Sequence, residues 1–211
     1  AERNDASPET SDRIWKIIMS FAGYSFCKPH SASYAQVSFK SAYLRTHYPA
    51  EFIAAVISNQ GGFYSTFAYI SEARRMGLAI LLPDINESDW AYHGEGERLR
   101  MGLMQVKTIP KELGERIVEE RTQNGPYRSF QDFLCRVKPE PAQARALVRA
   151  GCCDSIAGEL TRPALLWRLY AENDTAAGPL PIPDDYSVAQ KRAHEIQSFG
   201  FLASRHPLTL H

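Results

Sequence analysis

Apolar residues recur along most of this chain at spacings of three and four, the period of amphipathic helices. The helices predicted from this spacing cover about residues 12–22, 32–46, 50–60, 66–76, 112–121, a stretch after Ser129, 141–150, 162–170 and 188–198. Two short segments depart from the pattern: residues 78–82 are continuously apolar, and residues 99–103 alternate, so both predict strands. The pattern predicts a mainly α fold with a small β element.

Turn and capping residues mark the predicted helix boundaries. Ser31 is predicted to cap the helix over 32–46, and Pro49 must follow its end, because the residue before a proline avoids the α region. Ser129 and Ser187 each open a capping-box pattern. Three segments without helical spacing are predicted to be irregular, the first of them disordered: 1–10, 83–97 and 172–186.

The predicted helix over 32–46 has an unusual arrangement of polar side chains. Gln36, Lys40, Tyr43 and His47 share one stripe, and apolar residues flank that stripe on both sides. A simple surface helix has one apolar face, so this pattern favours a helix wedged between two bodies with its polar stripe facing a groove. A central core helix with a few solvated polar residues is the alternative.

Charge is balanced over the whole chain but not along it. The 211 residues carry 24 basic and 24 acidic side chains, so overall charge gives no argument for a nucleic-acid partner. From Arg98 to Arg168, 13 basic minus 8 acidic residues leave an excess of +5, against 6 minus 5, or +1, in residues 1–60. Proteins that contact the DNA backbone carry such local positive charge.

Compartment signals favour a cytoplasmic protein. No apolar run is long enough to span a bilayer, and nothing resembles a signal peptide. The first residue is not Met and the first ten residues are polar, from which we expect an excised piece of a longer protein. The four cysteines form no C-x-x-C pair, so we expect reduced thiols and no zinc site; they are Cys27, Cys135, Cys152 and Cys153.

Catalytic groups are not apparent in the sequence. Asp84, Glu87 and Asp89 lie close together, but in a predicted loop with no phosphate-binding motif beside them, so we interpret them as solvated turn residues. No Ser-His-Asp order and no H-E-x-x-H motif is present. We therefore expect no catalysis by this chain alone, and no cofactor in it.

Six segments in order carry a family resemblance. They are KPHSASYAQVSFKSAYLRTHYPAEF at 28–52, RRMGLAILLPDINESDW at 74–90, LRMGLMQVKTIP at 99–110, GPYRSFQDF at 125–133, ALVRAGCCDS at 146–155 and FGFLASRHPL at 199–208. Together they resemble the bacterial DNA polymerase III α subunit family, the C-family polymerases. GGFYS at 61–65 and Ser-Asp-Trp at 88–90 resemble its error-prone branch.

The resemblance implies a domain plan and partners. By that likeness, residues 11–95 form the end of the fingers domain with the small β element, and 96–175 form a helix-hairpin-helix-like DNA-binding domain. Residues 176–211 form a linker and a helix leading toward an OB-fold domain that this chain lacks. Primer–template DNA and a deoxynucleotide triphosphate are the implied partners of the parent polymerase. Its two magnesium ions are expected in the palm, upstream of this segment, and no clamp-binding peptide is seen in 172–198.

Candidate site residues follow from the same likeness. Lys28, His30 and Ser31, at a loop–helix junction, are implied to face the incoming nucleotide, because a helix N-terminus and a lysine both attract phosphate. The residues implied to bind DNA are Lys40, Lys107, Lys111, Arg116 and Arg149.

The first hairpin departs from the family pattern. The family usually has Gly-hydrophobic-Gly, whose glycines let backbone N–H groups approach a phosphate, where this chain has Thr108-Ile109-Pro110. Pro110 has no N–H to offer, so the hairpin is expected to rely on lysines 107 and 111. Ala150-Gly151 at the second hairpin matches the family better. The departure keeps a second hypothesis open: a helical protein-interaction scaffold with little affinity for DNA.

Overall fold

The structure is a computed structural model that describes residues 7–25, 28–60, 62–171 and 182–206. Its described part contains nine α-helices: α1 Pro8–Ser25, α2 Lys28–His47, α3 Pro49–Ser58, α4 Thr66–Arg75, α5 Lys111–Asn124, α6 Phe130–Val137, α7 Pro141–Ala150, α8 Arg162–Ala171 and α9 Val188–Phe199. Three strands accompany them: β1 Ala79–Leu81, β2 His93–Glu95 and β3 Arg98–Arg100. The prediction of a mainly α fold with a small β element is confirmed. Among the described residues, none of the helices has the length and apolar character that a membrane span requires.

The chain divides into two compact units, residues 1–46 and 47–211. The first unit contains α1 and nearly all of α2. Helix α1 begins at Pro8, earlier than the predicted cap at Ser11 or Asp12, and it continues past Gly23. Residues 8–10, predicted to be disordered, are therefore helical, because Ser7 accepts the Thr10 N–H at 3.2 Å and so caps the helix. The rest of that prediction, residues 1–6, lies outside the described residues.

Helix α2 begins earlier than predicted. It begins at Lys28, so Ser31 lies inside the first turn and does not cap it; Pro29 is tolerated there because first-turn N–H groups have no partner within a helix. Its apolar side chains are exposed, among them Val37 and Phe39, the latter 78% exposed. The prediction that α2 lies between two bodies stays a prediction.

The second unit builds its small sheet against α3. The strand order is β1-β3-β2, with β1 parallel and β2 antiparallel to β3. Leu99 in the central strand is fully buried. Gly94 in β2 lies so close to the backbone of Ala50 in α3 that a Cβ atom would overlap it. Strand β2 falls in the segment predicted to be a loop, because His-Gly-Glu has no β-forming side chain and only the pairing with β3 makes it a strand.

The helix boundaries of the second unit follow the predicted capping chemistry. Ser129 accepts a hydrogen bond from the Asp132 N–H, and Ser187 forms a complete capping box with Gln190. Gly151 ends α7 in the left-handed conformation, with a φ of 84°. A continuous core joins α3–α7 to the sheet; its largest fully buried side chains include Phe133, Ile70, Leu99, Ile117 and Leu147.

Candidate nucleic-acid interface

Residues 106–110 form a tight hairpin, hairpin 1, between the 3-10 turn at Leu103–Gln105 and α5. Val106 and Ile109 are buried and anchor it, while Thr108 is exposed at its tip. Thr108 has a φ of 72°, a conformation that β-branched residues rarely adopt. By the family likeness described above, this position is expected to match the first glycine of the family pattern, and Thr108 takes a positive φ of the kind that glycine favours.

Residues 150–153 form the equivalent hairpin 2, between α7 and the 3-10 turn Asp154–Ile156. Gly151 takes the left-handed conformation here, and its N–H and that of Cys152 donate to carbonyls of the last turn of α7, at 3.1 and 3.0 Å. The Cys152 carbonyl accepts the Ile85 N–H at 3.0 Å. Hairpin 2 is therefore held by α7 on one side and by the loop after β1 on the other.

A buried arginine covers the glycine of hairpin 2. Arg162, 8% exposed, donates to Asp154 at 2.9 and 2.5 Å and to the Arg149 carbonyl at 3.2 Å. Its guanidinium lies where a Cβ atom on Gly151 would be. Burial opposes its charge, but hydrogen bonding and attraction to Asp154 outweigh burial and raise the pKa of Arg162. The space that a glycine leaves for a ligand is filled by this side chain.

The exposed charges differ between the helices that flank the two hairpins. Helix α5, after hairpin 1, exposes two cations and three anions: Lys111, Arg116, Glu112, Glu115 and Glu119. Its Lys111 pairs with Glu115 at 3.4 Å. The face of α5 expected to bind DNA thus has a formal charge of −1, which is unfavourable for a phosphate backbone.

Helix α7, before hairpin 2, contains no acidic residue within Pro141–Ala150. Arg145 and Arg149 are exposed and lie four residues apart, so they occupy one face of the helix. Neither forms an ion pair among the residues that the structure describes. Just before this helix, the exposed Lys138, with a φ of 50°, adds a third cation, and the exposed N-cap residue Glu140 adds one anion, so the net charge stays positive. Sequence analysis selected Arg149 but not Arg145, which helical spacing could have added.

Several arginines counted in the local charge excess point into the protein. Arg136 pairs with Glu120 at 3.0 Å and Asp132 at 3.2 Å, and its guanidinium lies 4.5 Å from the centre of the Tyr127 ring. Arg121 donates to the Ile85 and Ser88 carbonyls. These side chains hold loops in place and are not available to a partner.

The residues expected near the nucleotide lie in the first unit. Helix α2 begins at Lys28, whose side chain lies outside the described residues, and His30 and Ser31 follow in its first turn. The exposed His30 ring packs edge-on against Tyr34, with centroids 4.5 Å apart. Lys40 is exposed further along the same helix. Within the described residues, no cluster of three or more His, Cys, Asp or Glu side chains is arranged to hold a metal ion.

Comparison with known proteins agrees with this geometry. A family model described as a helix-hairpin-helix motif matches residues 77–164. An error-prone DNA polymerase of Nocardia farcinica is 38% identical over 209 residues, which cover 95% of this chain and 17% of that protein. DNA polymerase III α subunits of Saccharopolyspora erythraea and Thermus aquaticus are 32% and 31% identical, covering 95% and 99% of this chain and 19% of each relative.

The chain spans less than a fifth of the length of these relatives. The matches extend across almost all of it, through both compact units and both hairpins. The chain therefore belongs to the family of DNA polymerase III α subunits and error-prone DNA polymerases, and it corresponds to one segment of those proteins.

Proposed function

We propose that this segment holds the DNA duplex of its parent polymerase, and that it does so through the exposed cations of α7. The observation that carries this proposal is the acid-free face with Arg145 and Arg149, inside a helix-hairpin-helix region, beside a hairpin whose own backbone is already engaged. Side-chain cations suit this role, because phosphate contacts position a duplex without reading its sequence.

The parent activity proposed here is DNA-directed DNA synthesis with magnesium held outside this segment, in replication or in error-prone repair. Likeness to the polymerases named above supports it. The α2 N-terminus with Lys28, His30 and Ser31 is proposed to help position the incoming nucleotide, since the first-turn N–H groups of a helix attract phosphate. Lys40 is proposed to contact DNA from the same helix. A cytoplasmic location is proposed on the same likeness.

Fluorescence anisotropy with a labelled primer–template duplex, measured across a salt series with the full chain, tests the proposal. Each phosphate contact contributes a slope of about −0.9 in log K against log salt. Arg145→Gln and Arg149→Gln are each expected to reduce the magnitude of the slope by about one unit, and the double variant by about two. Lys111→Gln and Arg116→Gln, on the acid-rich face of α5, are the matched controls and should change it little.

The scaffold hypothesis predicts a different result. It is favoured by the Thr108 and Pro110 departure and by the net charge of −1 on the exposed face of α5. If the chain shows no binding to duplex at the lowest salt, the duplex-holding role is wrong and the scaffold hypothesis replaces it. If the α5 variants reduce the slope and the α7 variants do not, the chain binds DNA but at the wrong face for this proposal.

A further inference from the structure

The C-terminal end of α9 is seated on hairpin 1. The Lys107 N–H donates to the Ser198 carbonyl at 2.8 Å, and the Gln105 side-chain amide donates to the Phe199 carbonyl at 2.8 Å. Ser198 and Phe199 are the last two residues of α9. Carbonyls in the last turn of a helix have no partner within that helix, so hairpin 1 and the Gln105 side chain just before it supply donors that these carbonyls need.

The seated helix end has the charge of a weak anion. Aligned peptide dipoles place about half a negative charge at a helix C-terminus. The Lys107 ammonium lies against Gly200, the residue that ends α9, at 3.4 Å from where a Cβ atom on that glycine would be. Hairpin 1 thus donates a backbone N–H to the partly negative end of α9 and places a lysine ammonium beside it, a combination that also suits a phosphate.

Neighbouring side chains hold both partners of this contact in place. The Tyr92 hydroxyl donates to the side-chain oxygen Oε1 of Gln105 at 2.8 Å and fixes the orientation of that side-chain amide. On the other side, the buried Glu195 carboxylate accepts the N–H groups of Ala203 and Ser204 at 3.0 and 2.8 Å. Arg74 of α4 donates to the Ala203 carbonyl. Gln105 on one side of the contact and the segment after α9 on the other are therefore each held in place by hydrogen bonds of their own.

Little remains of hairpin 1 for a nucleic acid. The Lys107 N–H is occupied, the Ile109 N–H bonds back to the Val106 carbonyl at 3.3 Å, and Pro110 has no N–H. Of residues 107–110, this leaves only the Thr108 N–H without an acceptor among the described residues. Glu112 in the first turn of α5 already places a carboxylate at that helix N-terminus, which disfavours a second anion.

We propose that hairpin 1 is a protein-docking hairpin, whose Lys107 N–H and lysine side chain hold the C-terminal end of α9 instead of a DNA phosphate. Its function is to fix α9, and the chain after it, to the helix-hairpin-helix region. This role does not require the segment to bind DNA. It also assigns the duplex contact, where one exists, to the side of hairpin 2 and α7.

Amide hydrogen exchange followed by NMR, on the full chain without DNA, tests the docking. The Lys107 amide is expected to exchange at least 100-fold more slowly than that of Thr108, whose N–H has no acceptor among the described residues. Gln105→Leu removes the hydrogen bond from the Gln105 side chain to the Phe199 carbonyl and should speed amide exchange at Lys107 at least tenfold. The Cys152 amide of hairpin 2, bonded to Leu147, is the internal control and should not change. Fast Lys107 exchange in the unaltered chain would overturn the proposal.

Restoring the two glycines of the family pattern tests whether hairpin 1 can bind a DNA phosphate. In Thr108→Gly with Pro110→Gly, duplex affinity and salt slope are expected to stay within twofold and half a unit of the unaltered chain, because α9 still occupies the seat. A tenfold gain in affinity with a steeper slope would show that hairpin 1 takes a phosphate after all. A chain that binds no duplex fails the proposed function but leaves the amide-exchange test of the docking intact.

Discussion

Hairpins 1 and 2 share one backbone feature, a residue with positive φ, but have different surroundings. Each has one left-handed residue, Thr108 with a φ of 72° and Gly151 with a φ of 84°. Against hairpin 1 lies the end of α9, and against hairpin 2 lies the guanidinium of Arg162. The comparison teaches that a phosphate-binding backbone shape does not by itself make a nucleic-acid site. The ligand of a hairpin also depends on which groups already accept its N–H donors and on the charges of the side chains beside it.

The largest expected effect comes from exchanging the two left-handed residues. Gly151→Thr places a β-branched residue at positive φ and displaces Arg162 from Asp154, so the free energy of unfolding should fall by about 4 kcal/mol. Thr108→Gly relieves strain but adds flexibility to the unfolded chain, and should stay within about 1 kcal/mol of the unaltered protein. Urea unfolding measures both. Equal losses in the two variants would contradict the distinction drawn between the hairpins.

The second largest expected change in stability comes from replacing Arg162, the side chain that covers Gly151 in hairpin 2. Arg162→Met removes hydrogen bonds from a buried charged group to Asp154 and to the Arg149 carbonyl, and should lower the free energy of unfolding by about 2 kcal/mol. Arg168→Met, at an exposed position of the same helix, is the matched control and should change it by less than about 0.5 kcal/mol. A loss no greater than that of the control would mean that Arg162 does not hold the hairpin.

A smaller change in the free energy of unfolding is expected from replacing Glu195 in α9. Glu195→Gln keeps a carbonyl acceptor for the Ala203 and Ser204 N–H groups but removes the negative charge, which should cost about 1 kcal/mol in urea unfolding. The exposed Glu159→Gln serves as control. Amide exchange should accelerate more at Lys107 than at Cys152, because α9 provides the acceptor of the Lys107 N–H, whereas the Cys152 N–H donates to Leu147 of α7. Equal acceleration at both amides would show a global loss of stability instead.

The mildest probe is chemical labelling of the cysteine thiols. In a Cys27→Ser background, a thiol reagent should label the exposed Cys135 at least 100-fold faster than Cys152 or Cys153, both of which are fully buried. Burial raises the pKa of the Cys152 and Cys153 thiols, so raising the pH from 7 to 9 should not form their thiolates in the folded chain. Mass spectrometry of the labelled peptides gives the rates. Rapid labelling of Cys152 would show that hairpin 2 opens readily.

Local chemistry made most helix boundaries predictable. Capping at Ser129 and Ser187 and termination at Gly151 depend on residues within one turn of the boundary, and the structure has them where the sequence places them. Ser31 failed as a predicted cap because Pro29 is compatible with a first helical turn. Strand β2 could not be predicted, since its pairing with β3 and its close approach to Ala50 are tertiary contacts.

The candidate interface was predictable only in part. Sequence located the basic half and selected Arg149, but it could not separate exposed cations from Arg121, Arg136 and Arg162, whose partners are set by the fold. A threonine gives no sign of positive φ, so only the family likeness identified position 108. The roles of the residues expected near the nucleotide, and of Lys107, Lys111 and Arg116 at DNA, stay predictions.

The bond between Lys107 and Ser198 also has a consequence for the order of biosynthesis. Its partners are 198 − 107 = 91 residues apart, and chains are made at about 5–20 residues per second, N-terminus first. Hairpin 1 therefore leaves the ribosome roughly 5–18 seconds before the helix end that completes it. During that interval the Lys107 N–H lacks its acceptor while the chain lies next to ribosomal RNA, and the contact forms only after α9 has been translated.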